Sequence, residues 1–275
     1  MPYFKNIPIP NDFSGQAVFI SGGTRGIGLA IGIAFAKLGA QLFLTHRWGS
    51  AKDSEVIKQF SDINALPPVI IEADASQIDE NRKVIEEIQR RGLTIAAFIS
   101  CVCVVTRGNG IQGMSNRIIR KVLEYSSWPF VQINLLINAL TGQLPRYSLA
   151  ISSDGHYSCY PGYDNVAMAK SVMEALLTPL AEEFSKQGAQ VNIIRTRSVL
   201  TESYHEIFAE EDRALVQAFD EFTLQTDDIA SIAIGLCSGY LDSVNGKIII
   251  VDKGAHLVDN LMWMGPSLLK NSHAK

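Results

Sequence analysis

Gln16–Gly28 reads QAVFISGGTRGIG. Ala17–Ile20 is an unbroken apolar run, the pattern of a short strand buried on both faces. The chain then passes without a spacer into Gly22-Gly23-Thr24-Arg25-Gly26-Ile27-Gly28. Gly28–Leu38 has helical spacing and stops at Gly39. A glycine-rich turn between a first strand and a helix brings backbone close to a pyrophosphate, and the helix N-terminus adds N–H donors and positive potential. Gly22, Thr24, Arg25, Ile27 and Gly28 are therefore the first expected cofactor contacts.

The pattern repeats outward from this unit. Gln41–Thr45, Pro68–Glu72, Ala96–Val105, Ser148–Ser152, Gln190–Arg195 and Lys247–Val251 are further apolar runs of strand character, beside Gln16–Ser21. Between them lie helical patterns at Ser54–Asp62, Glu80–Arg91, Arg117–Asn138 (interrupted near Pro129) and Asn165–Gln187. Continuous apolar strands alternating with helices require a parallel sheet covered on both faces. Seven of them predict a doubly wound α/β Rossmann fold. The organisation expected is one domain over 1–275: an N-terminal arm at 1–12, a core at 13–259 and an apolar C-terminal tail at 260–275.

Composition narrows the function. Of 275 residues 47% are apolar and 19% charged, and the formal net charge is -4. The charged share is below the roughly 25% usual for soluble domains, which implies that part of the surface is covered, as in a homodimer or homotetramer. An acidic balance argues against nucleic acid as a partner. No apolar run reaches the roughly 18 residues of a membrane span. The four cysteines form no CxxC, and the histidines lack metal spacing, so a cytoplasmic, metal-free protein is expected.

The end of the second strand selects the nucleotide. An NAD site places a carboxylate there for the ribose hydroxyls. This chain has Thr45-His46-Arg47. His46 and Arg47, with Arg25 from the glycine turn, suit a 2′-phosphate held by charge-assisted hydrogen bonds. The cofactor expected is NADP(H).

Further motifs resemble the short-chain dehydrogenase/reductase family from Phe13 to about Asp259. Phe13-Ser14-Gly15-Gln16 looks like its entry to the first strand, and Asp74-Ala75 like its adenine contacts. Asn134, in Gln132-Ile133-Asn134-Leu135, looks like its proton-relay asparagine. Ser152-Ser153 closes the fifth strand as the family's catalytic serine does, and Lys170 opens a segment like its catalytic-lysine helix. Val199-Leu200-Thr201 resembles its last cofactor loop, and Asn245-Gly246-Lys247-Ile248 its C-terminal strand. Four places depart from the pattern, one of them the late Asp-Gly-Gly, which is Asp252-Lys253-Gly254 here. Ser100-Cys101-Val102-Cys103 replaces Asn-Asn-Ala-Gly, Thr196-Arg197 replaces Pro-Gly, and Val166 stands where Tyr-x3-Lys would put tyrosine.

Tyr163 precedes Lys170 by seven residues, giving Tyr-x6-Lys. That spacing resembles the NADPH-using bacterial enoyl-(acyl-carrier-protein) reductases. The shift has a chemical reading. Ketone reduction puts hydride on the carbon bearing the oxygen. Enoyl-thioester reduction puts it on the β-carbon, while charge develops on a more distant oxygen. Moving the tyrosine three residues back displaces its anchor by roughly 4.5 Å along a helix axis. The resemblance implies that Lys170 holds the nicotinamide ribose and lowers the phenol pKa. It also implies that Tyr163 is the acid, that Ser153 or Ser152 positions substrate, and that Asn134 orders water. Ser100 joins the cofactor contacts, and Tyr157, Tyr160 and Arg197 are substrate candidates. Arg197 either binds an anionic group of the substrate or turns outward to pair with an acid.

Thr201–Asp228 corresponds to the family's substrate lid and is strongly acidic, with Arg213 as its only arginine or lysine. A basic cluster of Arg107, Arg117, Arg120 and Lys121 offers an alternative docking face. Three activities fit the sequence: an NADPH-dependent reductase of an activated C=C in a small-molecule or thioester substrate, a carbonyl reductase, or a scaffold that binds nucleotide without turnover.

Overall fold

The computed structural model describes residues 12–47, 51–104, 107–207 and 222–258. The N-terminal arm before Asp12, the C-terminal tail and most of the acidic segment lie outside the described residues.

Seven parallel strands form one sheet: β1 (Gln16–Ser21), β2 (Gln41–His46), β3 (Val69–Glu72), β4 (Thr94–Ser100), β5 (Tyr147–Ser153), β6 (Gln190–Thr196) and β7 (Ile248–Val251). Their order is β3-β2-β1-β4-β5-β6-β7. The chain winds outward one way from β1 and then, from β4, the other way. This leaves a crevice beyond the strands' carboxyl ends where the direction reverses. β1 and β2 are buried along nearly their whole length, which is why they lack polar alternation.

Both faces are covered. On one, α1 (Gly26–Ala36) and α2 (Asp53–Asp62) pack Ile31, Phe35, Val56 and Phe60 against Val18, Ile20, Leu42 and Leu44. On the other, α3 (Ile78–Arg90), α5 (Trp128–Thr141) and α7 (Leu177–Ser185) bury Ile85, Phe130, Ile137 and Phe184 against Phe19, Phe43 and Phe98. The remaining α-helices among the described residues are α4 (Asn116–Ser126), α6 (Asp164–Ala175), α8 (Glu202–Ile207) and α9 (Thr226–Cys237).

The structure corrects three expectations. The apolar run Ala96–Val105 is strand only as far as Ser100; beyond it Cys101–Val104 leave the sheet and wall the crevice. Asn165–Gln187 is two helices, because Pro179 has no N–H to donate to Ala175 and the ladder breaks there. The sequence reading did not foresee α9. Its Ile229, Ala230, Ala233 and Leu236 are buried, and Gln225 and Asp228 close a reciprocal capping box at its start. The break expected near Pro129 separates α4 from α5.

Candidate functional site

A cavity of about 730 Å³ opens at the carboxyl edge of the sheet. It runs from the glycine turn, past the ends of β2 and β3, to the loops after β5 and β6. At one end Gly22 has φ +76°, and a Cβ on Gly28 would lie 2.1 Å from the Gly22 carbonyl oxygen. Only glycines permit this close turn. The α1 N-terminus behind it has no side-chain cap and no acidic residue in its first turn, so its N–H groups face the cavity edge unopposed. These residues fit a dinucleotide pyrophosphate.

Thr24, Arg25, Ile27, His46, Arg47, Asp74, Ala75, Val199 and Thr201 also line the cavity, as expected of cofactor contacts. Arg47 pairs with Asp74 at 2.8 Å and lies over the Tyr125 ring, 4.9 Å from its centroid. Arg25 pairs with Glu202 at 3.3 Å, and His46 lies 3.6 Å from Asp53. Both arginines therefore stand at the glycine-turn end of the cavity, each already held by a counter-ion. Ser100 does not line the cavity. It is buried at the end of β4, and Cys101–Val104 form the wall in its place.

At the other end the Tyr163 hydroxyl donates to Ser153 Oγ at 2.9 Å. Ser153 ends β5 and Tyr163 is the N-cap of α6, so strand and helix ends fix the pair from two sides. A Cβ on Gly155 would lie 2.4 Å from the Tyr163 ring, so this glycine admits the ring. Val166, at the vacated tyrosine position, also lines the cavity. Lys170 is buried and donates from Nζ to the Ile151 carbonyl at 2.6 Å.

The acidity of Tyr163 differs from expectation. Burial pushes its hydroxyl above the ordinary phenol range, with Cys103, Asp154 and Tyr160 adding to the rise and the Ser153 hydrogen bond opposing it. The Lys170 charge acts instead on Cys101, whose thiol burial pushes up to about 12. With the Lys170 Nζ on the Ile151 carbonyl, burial dominates the acidity of the phenol. Tyr163 is a neutral donor at physiological pH.

Asn134 is corrected outright. Its Nδ2 donates to Phe130 O at 2.8 Å and its Oδ1 accepts from Ser148 Oγ at 2.6 Å. Ser148 lies near the start of β5, at the opposite end from Ser153. From this helix pair Tyr125 lines the cavity; behind the wall, Ser126 accepts from the Val104 N–H and Ser127 donates to Ala169 O beside Lys170. Asn134 is seven residues beyond Ser127, about 10 Å further along an axis.

Ser152 lines the cavity, but its hydroxyl donates to Glu174 at 2.6 Å. Glu174 also receives Arg195 through Nε at 2.9 Å and Nη2 at 2.5 Å, and lies 3.0 Å from His156 Nε2. Burial raises the Glu174 pKa, but the Arg195 and Ser152 hydrogen bonds and the His156 charge outweigh it and leave it lowered. Tyr157 belongs to this network and not to the cavity. Its exposed ring lies 4.2 Å from the Arg195 guanidinium, and its hydroxyl accepts from Arg195.

Tyr160 and Arg197 line the cavity as expected. The sequence reading missed Asp154 between them. The Tyr160 hydroxyl donates to Asp154 Oδ2 at 2.7 Å, and Arg197 Nε is 3.8 Å from the same oxygen. Its signal was its position directly after Ser153.

A family model described as Enoyl-(Acyl carrier protein) reductase matches residues 22–256. The enoyl-(acyl-carrier-protein) reductase (NADH) FabI of Buchnera aphidicola is 22% identical over 255 residues, covering 88% of this chain and 95% of that protein. The short chain dehydrogenase/reductase AacuN of Aspergillus aculeatus is 21% identical over 259 residues, covering 90% and 97%. Among solved structures, the Bacillus cereus enoyl-acyl carrier protein reductase with NADP+ and indole naphthyridinone superposes with a TM-score of 0.79 at 18% identity, covering 90% of this chain and 99% of that one.

Proposed function

The chain belongs to the short-chain dehydrogenase/reductase family, an oxidoreductase family that binds a nicotinamide cofactor, and from that membership we propose an NADPH-dependent reductase of an activated C=C bond, with Tyr163 as its acid. The observation that carries this reading is the Tyr163–Ser153 hydroxyl pair, in one cavity with Lys170, where Val166 vacates the usual tyrosine position. A reduced nicotinamide, when bound, supplies hydride. Lys170 stands where its ammonium can exchange the Ile151 carbonyl for ribose hydroxyls. Ser153 holds the Tyr163 hydroxyl toward the cavity. The Tyr163 hydroxyl turns its one proton from Ser153 to the thioester oxygen as enolate charge develops there, Ser153 then donating to Tyr163 Oη, and the high pKa of the phenol keeps that proton available. The absence of a carboxylate at the end of β2, with Arg25 and Arg47 nearby, supports NADPH over NADH. Trp128 and Leu135, exposed one above the other on α5, support a homo-oligomer.

The assay mixes the protein with NADPH or NADH and either a crotonyl thioester or a 3-ketothioester, and follows loss of reduced-nicotinamide absorbance. We expect NADPH consumption with the crotonyl thioester and much weaker use of NADH. Consumption with the ketothioester alone would replace this reading by carbonyl reduction. NADPH binding with no turnover of either would leave a nucleotide-binding scaffold.

A further inference from the structure

The two arginines at the glycine-turn end of the cavity, Arg25 and Arg47, are each within 3.3 Å of a carboxylate oxygen. Arg197, at the reacting end, is held differently. Its nearest acidic partner is Asp154, through Nε at 3.8 Å, beyond hydrogen-bond distance. Nε lies next to the stem of the side chain. The two terminal amino groups donate to no described residue, although the side chain is only 19% exposed. The terminal nitrogens open into the cavity and keep contact with water, so a ligand that supplies acceptors in a fixed geometry exchanges that water for charge-assisted hydrogen bonds.

The neighbours define the ligand. Ser153 pairs with Thr196 across the ends of β5 and β6, and Asp154 and Arg197 are the first residues beyond each strand. Arg197 therefore stands at the same strand edge as the Ser153–Tyr163 hydroxyls. Asp154 also accepts the Tyr160 hydroxyl, and the Tyr160 ring stands edge-on to Tyr163 with centroids 5.9 Å apart. Asp154 thus keeps a partner of its own when the arginine fork takes another anion. A planar fork of two amino groups matches a carboxylate. The Asp154 charge nearby favours a singly charged group over a phosphate dianion.

We propose that Arg197 is a substrate-recognition residue whose terminal amino groups bind a carboxylate carried by the substrate a few bonds from its reacting double bond. The proposal rests on the reductase reading above. Its test is calorimetric titration of the protein loaded with NADP+, which cannot deliver hydride. The ligands are the S-ethyl monothioester of glutaconic acid and the S-ethyl thioester of crotonic acid, which differ by one carboxylate. We expect the acid to bind on the order of ten- to a hundredfold more tightly, the range of charge-assisted hydrogen bonds. Arg197→Met should erase the difference between the two ligands, and Arg197→Lys should retain part of it. Equal affinities in the parent protein, or a preference that survives Arg197→Met, would overturn the proposal. Turnover of both esters with NADPH is followed separately. Preference without turnover keeps the carboxylate subsite and rejects the reductase reading, whereas turnover without preference rejects the subsite alone.

Discussion

Tyr163→Phe is expected to lower turnover by about 10²–10⁴-fold, the contribution of a positioned general acid, while NADPH affinity stays unchanged. Phenylalanine preserves the ring that fits against Gly155 and Tyr160, and only the hydroxyl is lost. Ser153 Oγ then loses its donor, for about 1 kcal/mol of stability, so the variant remains folded. Tyr160→Phe is the internal comparison. Its hydroxyl serves Asp154 and not Ser153, so turnover should change by no more than a few-fold. The pH profile carries the same signature. Burial raises the Tyr163 pKa above its ordinary 10.0, so the active neutral form persists across the neutral range, and loss of rate from its ionisation begins only above pH 10. Steady-state kinetics of the two variants decide the matter, and a larger loss in Tyr160→Phe would move the acid to that residue.

The second large effect is on stability. Glu174→Met should cost about 3–5 kcal/mol in denaturant unfolding, because it strands the Arg195 charge in a buried site. Glu174→Met combined with Arg195→Met should recover most of that loss, since an apolar pair of similar volume replaces the ion pair. The pH dependence has a definite sign. The Glu174 carboxyl is lowered from its ordinary 4.5, so its stabilisation is complete above that value and is lost as pH falls through the lower folded-state pKa. The parent protein should therefore lose stability on the acid side of pH 4.5 more steeply than the double variant. Additive losses in the double variant would contradict the coupling.

What the sequence revealed and what it hid follow one physical division. The glycine turn, Ser153, Tyr163 and Lys170 were legible because each is set by local spacing at a strand or helix end, where a motif fixes position. Asn134 was misplaced because a motif does not fix position along a helix that restarts near Pro129, and Tyr125, before that break, is the residue of this helix pair that lines the cavity. Tyr157 looked like a pocket residue from its loop alone. Its partner Arg195 is 38 positions away, and no local pattern announces that contact. The Glu174–Arg195 pair was hidden for the same reason, since charged residues read as solvated until both partners are seen buried. Cys101–Val104 read as strand in the sequence because an apolar run fits a cavity wall as well as a sheet interior.

The central claim is that the Tyr163 hydroxyl is the group that meets the substrate oxygen. A crystal structure with NADP+ and an unsaturated thioester tests it most directly. The account predicts Tyr163 Oη within about 2.6–3.2 Å of the thioester oxygen, with Ser153 still in contact. A Tyr163 ring turned away from that oxygen, with Tyr160 or a water molecule in its place, would contradict it.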